Sequence, residues 1–545
     1  MFEINGRKIG PGYPAYIIAE MSANHAGSIE RAKEIIRAAK DAGADCVKIQ
    51  TYTPDTLTID CNNEYFAITE GTWAGENLYG LYGKAYTPLA WQAELYEEAK
   101  QIGIDFFSTP FDNETADFLE DMGMQFYKIA SFEMIDLDFL RHVAAKQKPM
   151  IVSTGMATLA EIKEAVAAIY ETGNRQLALL KCSSAYPAVS EQMHLSTIRE
   201  MQEIFQIPIG LSDHSMGSLG AIAAVSLGAN IIEKHFCLNR EIENPDASFS
   251  MTAQEFKAMV DEIRLVENAI GTPSYGITQS EQSNMVFRRS LFVVKDIAKG
   301  EAFTKENIRS IRPGYGVKPK YCQDFLSMRA LREIKRGEPL SFEQVQKGAV
   351  LFLTNNENTN GFYERLCNTQ DYVIRFTNKL TLDIVKALEP SMVISFNYRH
   401  LVSADVIEYL GDRIINLHTS FLPYNKGAAP NFFSFYEDTP KGVTIHKMTA
   451  GLDEGDILLQ KEVFFDEEKE TFATTYQALM QEMETLFFAH EKDLLSGRVP
   501  AFRQAGCGTY HKSAELEEIR AKTPFSYDDV IADVKKKMKN TGKGI

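Results

Sequence analysis

Over its first 275 residues the chain alternates eight short apolar runs with amphipathic stretches of helical periodicity. Short buried runs separated by such stretches are typical of βα units with parallel strands. The runs are YIIAEM at 16–21, CVKIQT at 46–51, DFFSTP at 105–110, FYKIAS at 126–131, PMIVST at 149–154, LALLKCSS from Leu177, IPIGLSD at 207–213 and IIEKHFC at 231–237. Eight units in about 250 residues fit a closed (βα)8 TIM barrel better than an open sheet.

The barrel pattern covers only part of the 545 residues, so the chain holds further domains. A polar linker around 272–286 is followed by a compact β-rich unit of short strands and turns at 287–346. From residue 349 the βα rhythm restarts as VLFLT, YVIRF, MVISF, INLH, VTIH and ILLQKEV, which predicts an open Rossmann-like sheet followed by a charged helical segment. We therefore predict three domains, at 1–275, 287–346 and 349–545.

The composition excludes several classes of function. A net charge of −17 argues against broad nucleic-acid binding, which needs a basic surface. The seven cysteines include no C-x-x-C pair, so neither a zinc site nor a disulfide framework is expected. The start MFEINGRKIG lacks the apolar core of a signal peptide, and no apolar window is long enough to span a membrane. We expect a cytoplasmic protein with no nucleic-acid or membrane partner.

Polar side chains gather at the predicted carboxyl ends of the barrel strands, where TIM-barrel enzymes carry their active sites. Lys48 and Gln50 are two residues apart in the second strand and so share its inward face. Lys128 is predicted on the fourth strand, and serine or threonine hydroxyls close the third, fourth and fifth strands. A lysine inside a barrel is costly unless an anion pairs with it. The pattern predicts a pocket for a phosphorylated, carboxylated substrate.

Two histidines stand at neighbouring strand ends. His214 follows the seventh strand, and His235 shares one face of the eighth strand with Glu233. A single buried histidine is more often a satisfied core residue than a ligand. Two imidazoles beside lysines and carboxylates favour one divalent ion with open positions for water and substrate.

The third predicted domain carries a second set of reactive side chains. Asn416 and His418 lie at i and i+2 at the end of a strand, and Asp453 follows in GLDEGD. The set suits acyl transfer, because an amide can stabilise an oxyanion, an imidazole can carry a proton and a carboxylate can orient the imidazole. The spacing alone does not establish this chemistry.

The barrel motifs together resemble a known family. They are E-M-S-A-N-H-A-G (20–27), K-I-Q-T-Y-T-P-D (48–55), F-S-T-P-F-D (107–112), Y-K-I-A-S-F-E (127–133), S-T-G-M-A-T (153–158), S-A-Y-P (184–187), L-S-D-H (211–214) and E-K-H-F (233–236). In this order they resemble the nonulosonic acid synthases, the family of the sialic, legionaminic and pseudaminic acid synthases. The resemblance covers 1–346, and 287–346 resembles the family's SAF antifreeze-like domain. The S-A-N-H start and the W-x-G-x-N-L-Y-x-L-Y segment at 73–82 are most similar to the pseudaminic acid synthases.

This resemblance implies a reaction and a set of roles. Phosphoenolpyruvate would condense with 2,4-diacetamido-2,4,6-trideoxy-L-altrose, or a close amino-sugar aldehyde, to give pseudaminic acid and phosphate. His214 and His235 would hold Mn²⁺ or Mg²⁺, and Arg312 of R-P-G-Y-G would reach the barrel of a partner subunit in a domain-swapped homodimer. Glu20 and Glu133 are the candidate catalytic carboxylates. The implied substrate contacts are Lys48, Gln50, Thr109, Lys128, Ser131, Ser153, Ser184, Tyr186, Ser212 and Asp246, with Glu20 also facing the sugar and Ser184 standing where sialic acid synthases carry asparagine.

The C-terminal motifs resemble a second family. They are N-L-H-T-S-F-L-P-Y-N-K-G-A-A-P-N-F-F (416–433), K-G-V-T-I-H-K-M (441–448) and G-L-D-E-G-D-I (451–457). They resemble the 10-formyltetrahydrofolate-dependent formyltransferases, and P-Y-N-K-G-A-A-P-N is closest to the sugar N-formyltransferases. Asn416, His418 and Asp453 fall on that family's catalytic triad, while Tyr398 and Arg399 fall where it builds the folate pocket.

The C-terminal resemblance also has departures. TNNENTNG replaces a glycine-rich turn after the first strand, and the segment after residue 465 is too short and acidic for a tRNA-binding domain. The implied acceptor is therefore a sugar amine.

Three interpretations remain open from the sequence. The favoured one is a bifunctional enzyme, synthase plus formyltransferase. In the second, a sialic or legionaminic acid synthase carries a C-terminal module that binds sugar or folate without catalysis, and the intact Asn416, His418 and Asp453 count against it. In the third, the SAF-like unit has an ice-binding or structural role, and its attachment to a complete catalytic barrel counts against that.

Overall fold

A computed structural model describes residues 2–540. Met1, which begins the first predicted domain, and 541–545, which end the last one, lie outside the described residues. The chain divides into two compact units, Met1–Ser274 and Tyr275–Ile545. Between residues 2 and 540, no helix combines the length and hydrophobicity that crossing a membrane requires.

The first unit opens with an antiparallel hairpin of β1 (Phe2–Ile4) and β2 (Arg7–Ile9). Asn5 and Gly6 connect the two strands, with φ angles of 46° and 81°. Left-handed Asn-Gly is what a two-residue hairpin turn favours. The apolar side chains of the hairpin join the barrel core.

Eight parallel strands then close into the predicted TIM barrel. They are β3 (Tyr16–Glu20), β4 (Cys46–Thr51), β5 (Asp105–Pro110), β6 (Tyr127–Ile129), β7 (Met150–Ser153), β8 (Leu177–Cys182), β9 (Ile209–Asp213) and β10 (Ile231–Cys237). Each predicted apolar run contains one of them. β10 pairs in parallel with both β9 and β3, which closes the barrel, and the short β11 (Met251–Thr252) adds to β10.

Helices surround this barrel and connect its strands. They are α1 (Ile29–Asp41), α2 (Pro54–Leu57), α3 (Leu78–Ala85), α4 (Leu89–Ile102), α5 (Asn113–Asp121), α6 (Leu137–Ala145), α7 (Leu159–Glu171), α8 (Thr197–Phe205), α9 (Leu219–Ser226) and α10 (Ala253–Ile270). Local signals fix their ends. At α7, Thr158 and Glu161 exchange hydrogen bonds in a capping box, which satisfies two of the backbone donors left free at a helix start.

The second unit begins with the β-rich segment. β12 (Ser290–Val293) and β13 (Ile308–Ile311) pair antiparallel, and α11 (Cys322–Phe325) follows. A six-stranded mixed sheet comes next, made of β14 (Val350–Leu353), β15 (Val373–Phe376), β16 (Met392–Phe396), β17 (Ile414–His418), β19 (Gly442–Lys447) and β20 (Ile457–Glu462), while β18 (Lys426–Gly427) and β21 (Tyr510–His511) form a separate pair. The order is β15-β14-β16-β17-β19-β20, parallel from β15 to β17 and antiparallel beyond.

The helices of this sheet are α12 (Asn360–Thr369), α13 (Leu382–Leu388), α14 (Ala404–Leu410), α15 (Pro430–Tyr436), α16 (Phe472–Ala489), α17 (Glu491–Leu495), α18 (Ser513–Lys522) and α19 (Ile531–Asn540). The β-rich segment and the sheet share one hydrophobic core, in which Leu291 and Phe325 are grouped with Phe376 and Val393. Division of this unit at 346–349 stays a prediction, since the two parts are packed as one body.

Candidate functional sites

Two lysines and two carboxylates meet inside the barrel. The Nζ of Lys48 lies 2.9 Å from Oε2 of Glu20 and 2.9 Å from Oε1 of Glu233. The Nζ of Lys128 lies 3.4 Å from the same Glu233 oxygen, and all four side chains are buried. Burial lowers the pKa of Lys48 to about 7. Burial would raise the pKa of Glu233, but Lys128 and Lys48 hold it well below its usual range.

Neutral groups extend this cluster toward the strand ends. Ser212 donates to Oε1 of Glu233 at 3.1 Å. Gln50 donates to Oε1 of Glu20 at 3.3 Å and to Ser22 at 3.0 Å. Strand pairing places Glu20 beside Lys48 and Gln50 beside Thr109, so these predicted side chains come together from three neighbouring strands.

Two buried hydroxyls close to these strand ends have no hydrogen-bond partner within residues 2–540. They are Thr109 Oγ1 and Ser153 Oγ, both on residues with almost no exposure. Ser131 accepts a hydrogen bond from the amide of Gly155 at 3.0 Å. An unsatisfied buried hydroxyl costs about 1–3 kcal/mol, which an anion accepting from it would offset. Lysines and free hydroxyls in one buried cluster suit a phosphorylated, carboxylated ligand.

His214 and His235 also approach each other, with ring centroids 5.4 Å apart. His214 Nδ1 lies 3.0 Å from the carbonyl oxygen of Ser183, and His235 Nδ1 is buried without a hydrogen-bond partner, 3.9 Å from Oδ2 of Asp246. Burial lowers the pKa of His235 well below its usual value, which keeps the imidazole neutral as a metal ligand must be.

The histidine pair fits a divalent ion that takes its remaining ligands from water and substrate. A closed site built only from side chains does not fit, since residues 2–540 contain no group of three or more His, Cys, Asp or Glu arranged for a metal.

An aromatic wall stands over the histidines. The Tyr186 ring lies 4.3 Å from the His214 ring, and Trp73 lies 5.5 Å from Tyr186. Trp73 comes from the long β4–α4 connection, and its indole N–H donates to the carbonyl of Pro245 at 2.9 Å. Phe249 completes the wall, 5.0 Å from His235. Trp73 heads the W-x-G-x-N-L-Y motif but was not predicted as a site residue, and no sequence pattern indicated Phe249.

Three predicted synthase residues remain, two in the barrel and one in the second unit. Ser184 is half-buried, with its Oγ 3.8 Å from the sulfur of Cys182. Burial raises the pKa of Glu133 to about 7, and its Oε2 has no hydrogen-bond partner. No hydrogen bond links Glu133 to Lys48 among the residues that the structure describes. Arg312, in the second unit, is exposed and has no hydrogen-bond or ion-pair partner among residues 2–540.

In the second unit, Asn416, His418 and Asp453 meet as predicted. Asn416 Nδ2 donates to Oδ1 of Asp453 at 3.2 Å, and His418 Nδ1 lies 3.8 Å from Oδ2. The amide of Gly427 donates to the same Oδ2 at 2.9 Å. Burial would raise the pKa of Asp453, but His418, His446 and this amide hold it well below its usual range.

His446 belongs to this cluster although sequence reasoning missed it. It pairs with Asn416 across the β17–β19 ladder, and its Nε2 lies 3.2 Å from Nδ2 of Asn416 and 3.5 Å from Oδ1 of Asp453. Its Nδ1 lies 2.8 Å from the carbonyl of Lys447, which assigns the proton to Nδ1 and leaves Nε2 to accept from Asn416. The only signal was its place in the K-G-V-T-I-H-K-M motif.

A backbone carbonyl also orients His418. Its Nε2 lies 3.1 Å from the carbonyl oxygen of Asn425, so Nε2 donates and Nδ1 keeps its lone pair. A neutral imidazole held in this tautomer can take a proton at Nδ1, on the side that faces Asp453.

A cavity of about 620 Å³ opens onto these residues. This volume suits a small-molecule ligand. Tyr398 lines the cavity together with Ser395, Asn397 and His400, whereas Arg399 does not, and its backbone amide donates to Asn355 at 3.1 Å. The structure thus brings Tyr398 to the cavity and leaves Arg399 outside its lining.

The C-terminal segment also builds this site. Gln504 donates from Nε2 to the backbone carbonyls of Asp453 and Gly455, at 2.7 and 2.9 Å. These contacts support Asp453 in the left-handed region, with φ of 53°. Tyr510 lines the cavity. Neither residue lies in a recognisable motif, so neither could be selected from the sequence.

Family models and known proteins match the chain in three segments. Residues 35–275 match the NeuB family, residues 288–346 the SAF domain and residues 359–489 the formyl transferase domain. The pseudaminic acid synthase of Campylobacter jejuni subsp. jejuni is 47% identical over 325 residues, covering 60% of this chain and 95% of that protein. The pseudaminic acid synthase of Helicobacter pylori is 43% identical over 335 residues, covering 61% and 98%.

A solved structure resembles the C-terminal segment. It is the formyltransferase PseJ from Anoxybacillus kamchatkensis in complex with UDP-4,6-dideoxy-4-formamido-L-AltNAc and tetrahydrofolate. The identity is 34%, the TM-score is 0.32, and the match covers 34% of this chain and 97% of that one.

Proposed function

The chain belongs to the NeuB family, and we propose that its barrel condenses phosphoenolpyruvate with an open-chain amino-sugar aldehyde and releases phosphate. The proposed sugar is 2,4-diacetamido-2,4,6-trideoxy-L-altrose or a close relative, and the product is pseudaminic acid. The observation that carries this choice is the 47% identity to a pseudaminic acid synthase across 95% of that relative.

Phosphoenolpyruvate would occupy the buried cluster around Lys48 and Lys128. Its phosphate and carboxylate give the two ammonium groups better-placed partners than the single Glu233 oxygen that both now approach. Thr109 and Ser153 supply hydroxyls that have no other acceptor. Ser131 and Ser212 complete the proposed binding set.

In the reaction, C3 of phosphoenolpyruvate attacks the aldehyde carbon, and the aldehyde oxygen takes up a proton. Water adds to C2 and loses a proton, and phosphate leaves with cleavage of its bond to C2. Glu20 and Gln50 orient the sugar, with Tyr186, Ser184 and Asp246 on its far side. Glu133, whose pKa of about 7 allows it to hold or release a proton near neutral pH, handles the proton exchange.

A divalent ion, Mn²⁺ or Mg²⁺, would be held by His214 and His235. When bound, it supplies Lewis-acid polarisation of the aldehyde oxygen. Asp246, 3.9 Å from His235 Nδ1, orients that imidazole, and Tyr186 packs on the ring of His214 and limits access of water.

The proposal includes a homodimer in which Arg312 of one protomer completes the barrel site of its partner. Arg312 is exposed and unpaired in the described chain. Exposed apolar side chains follow several barrel strands on the active-site side, namely Phe132, Ile135, Met156, Met216 and Leu219. Such a rim suits a protein contact better than bulk water.

For the second unit we propose N-formyl transfer from 10-formyltetrahydrofolate to the amine of a sugar in the same pathway. A bond forms between the amine nitrogen and the formyl carbon, and the bond from that carbon to N10 of the folate breaks. The proton that the amine loses is transferred to N10. Asn416 exchanges the acceptor of one Nδ2 hydrogen, His446 Nε2, for the developing oxyanion. His418 Nδ1 relays the proton, and Asp453 stabilises the charged imidazole. Because phosphoenolpyruvate and 10-formyltetrahydrofolate are both intracellular metabolites, we place the enzyme in the cytoplasm.

The synthase is tested with purified protein, phosphoenolpyruvate and Mn²⁺. Phosphate release and product mass are followed with the diacetamido altrose, its legionaminic counterpart and N-acetylmannosamine in separate reactions. We expect release with the altrose alone. Release only with N-acetylmannosamine would contradict the substrate and keep the reaction class. Silence with all three would point to a 4-amino or 4-formamido sugar, which is supplied next.

The formyl transfer is tested in the same preparation. The protein is incubated with 10-formyltetrahydrofolate and 4-amino forms of these sugars, both free and nucleotide-linked, and the formylated mass and released tetrahydrofolate are measured. Transfer by the parent chain but not by His418→Ala supports catalysis. Tetrahydrofolate binding without transfer to any of these acceptors would favour the non-catalytic binding module.

A further inference from the structure

A buried carboxylate joins the SAF segment, 288–346, to the formyl transferase sheet. Asp324, in α11, is fully buried. Its Oδ1 accepts from the backbone amide of Thr377 at 2.7 Å and from the Thr377 hydroxyl at 3.0 Å. Its Oδ2 accepts from Nδ2 of Asn378 at 2.7 Å. The SAF segment therefore holds the start of the loop that leaves β15.

The same loop holds Tyr398 at the wall of the cavity. The Tyr398 hydroxyl donates to the carbonyl of Asn378 and accepts from the amide of Leu380 at 3.0 Å. With both hydrogen-bonding functions used, the hydroxyl fixes where the ring lies. Tyr398 lines the cavity that Asn416 and Asp453 also line. Asp324 is thus connected to the cavity wall through Asn378 and Tyr398.

Apolar packing keeps this connection in place. Phe325, next to Asp324, lies 5.2 Å from Phe342, and Phe342 lies 6.4 Å from Phe376 of β15. Ser327 adds to the edge of the sheet, because its hydroxyl accepts from the amide of Arg375 at 3.1 Å. The same hydroxyl shares its proton between the carbonyls of Asp324, at 2.8 Å, and Arg375, at 3.2 Å. The SAF segment therefore covers β15, the edge strand of the sheet, through apolar contacts and through a side chain that hydrogen-bonds to the backbone of β15.

We infer that Asp324 is a positioning residue for the formyl transferase site, so that the SAF segment is a structural part of its folate pocket. The inference rests on the formyl transfer proposed above. An aromatic side chain such as Tyr398 suits the flat ring system of a folate, and a ring displaced by one ångström presents a poorer surface to it. The SAF segment would then serve two sites, with Arg312 at the synthase and Asp324 at the formyl transferase.

The charge of Asp324 matters because three donors converge on it. Burial raises its pKa, and the hydrogen bonds from Thr377 and Asn378 oppose that rise. Asp324→Asn keeps the shape but places an NH₂ group against one or more of these donors, which leaves the loop poorly satisfied. Ser327→Ala is the matched control. It removes hydrogen bonds to Arg375 and to the Asp324 backbone carbonyl, and it leaves the Asp324 carboxylate with its donors Thr377 and Asn378 in place.

The experiment uses the full chain and its Asp324→Asn, Asp324→Ala, Ser327→Ala and Tyr398→Phe variants. We measure hydrogen–deuterium exchange of residues 377–380, calorimetric binding of tetrahydrofolate, and kcat and KM for 10-formyltetrahydrofolate. We expect both Asp324 variants to speed exchange of this loop, to weaken tetrahydrofolate binding and to raise KM about tenfold, with kcat changed less than twofold. Ser327→Ala should lower the melting temperature and leave KM unchanged.

A double variant separates positioning from general destabilisation. If Asp324 acts through Tyr398, the effects of Asp324→Asn and Tyr398→Phe on binding are less than additive, because both break one chain of contacts. Unchanged loop exchange and unchanged tetrahydrofolate affinity in both Asp324 variants would overturn the inference. Equal weakening by Ser327→Ala would overturn it as well, since the interface would then act only through stability. Failure of the parent chain to bind tetrahydrofolate would instead remove the proposed function, and the inference with it.

Discussion

The Nζ of Lys48 lies 2.9 Å from Oε1 of Glu233, and both side chains are buried inside the barrel. Removing one member of such a pair leaves the other charge without its partner. Because Lys128 also approaches Glu233, the cluster has two cations that an anionic substrate could pair. The relationship makes Lys48 the most direct test of the synthase site.

We expect Lys48→Met to lower kcat/KM for phosphate release at least about a hundredfold, because an anion then loses a charge-assisted contact in a dry site. Formyl transfer by the same chain should stay within twofold of the parent, which provides an internal control for folding. Lys181→Met is the matched control, since the Nζ of Lys181 donates only to the carbonyl of Cys182 among residues 2–540. Full phosphate release by Lys48→Met would contradict the proposed phosphoenolpyruvate site.

Glu133 should make stability depend on pH. Its pKa is raised from 4.5 to about 7 by burial, so between these values the folded chain holds a proton that the unfolded chain has released. Stability from this group is therefore complete below about pH 4.5 and falls as pH rises toward 7. Glu133→Gln removes the titration, and the difference in melting temperature between parent and variant should change across that window. A parent-minus-variant difference in melting temperature that stays constant across this window would contradict the prediction.

His418→Ala should remove formyl transfer while leaving phosphate release intact. Loss of a general base costs about a hundredfold to ten-thousandfold in kcat. Release of tetrahydrofolate is the readout, and binding of tetrahydrofolate by calorimetry checks that the cavity survives. His490→Ala is the control. His490 is exposed, and within the part of the chain that the structure describes its ring hydrogen-bonds only to the carbonyl of Leu486, through Nδ1. Undiminished transfer by His418→Ala would exclude this residue as the proton carrier.

Trp73 should contribute to recognition of the sugar. Its ring lies 5.5 Å from Tyr186, which in turn packs on His214. We expect Trp73→Ala to raise KM for the amino sugar several-fold and to leave KM for phosphoenolpyruvate unchanged. The proposed phosphoenolpyruvate contacts lie on or directly after the barrel strands, whereas Trp73 lies in the β4–α4 connection. Tyr65→Ala, in the same connection but 81% exposed, should match the parent. Equal increases in both KM values would instead indicate that the whole connection has moved.

We could predict the barrel, the Rossmann-like sheet and most of the residues that meet in the two sites. The alternation of apolar strands with amphipathic helices, and the polar residues at strand ends, are both visible in short stretches of sequence. Lys48 and Gln50 share a face by spacing alone, and the order of βα units places Glu20 next to them. His446 and Asn416 meet through strand register across an antiparallel pair, which no motif spacing encodes. Gln504 approaches Asp453 across 51 residues of chain, so its contact depends on tertiary packing.

The pair Tyr398 and Arg399 shows a finer limit of sequence reasoning. Both were selected together, but β16 ends at Phe396 and Asn397 turns the chain with a φ of 52°, so strand spacing no longer tells which side chains face the cavity. Tyr398 lines the cavity, and Arg399 lies outside its lining. The contacts from Asp324 to the Tyr398 loop could not be predicted either, because two segments predicted as separate domains share one core.

Arg312 offers a test of the proposed dimer that needs no structure of the assembly. A chain with Lys48→Met keeps Arg312, and a chain with Arg312→Ala keeps an intact barrel, so each alone should release little phosphate. If Arg312 acts on the partner's barrel, co-refolded or co-expressed chains should regain about a quarter of the parent activity, since half of the dimers are mixed and each has one complete site. Arg336→Ala, an exposed arginine of the same segment, should need no such rescue. If Arg312 acted within its own chain, no mixed dimer would contain a complete site, and mixing the two variants would restore nothing.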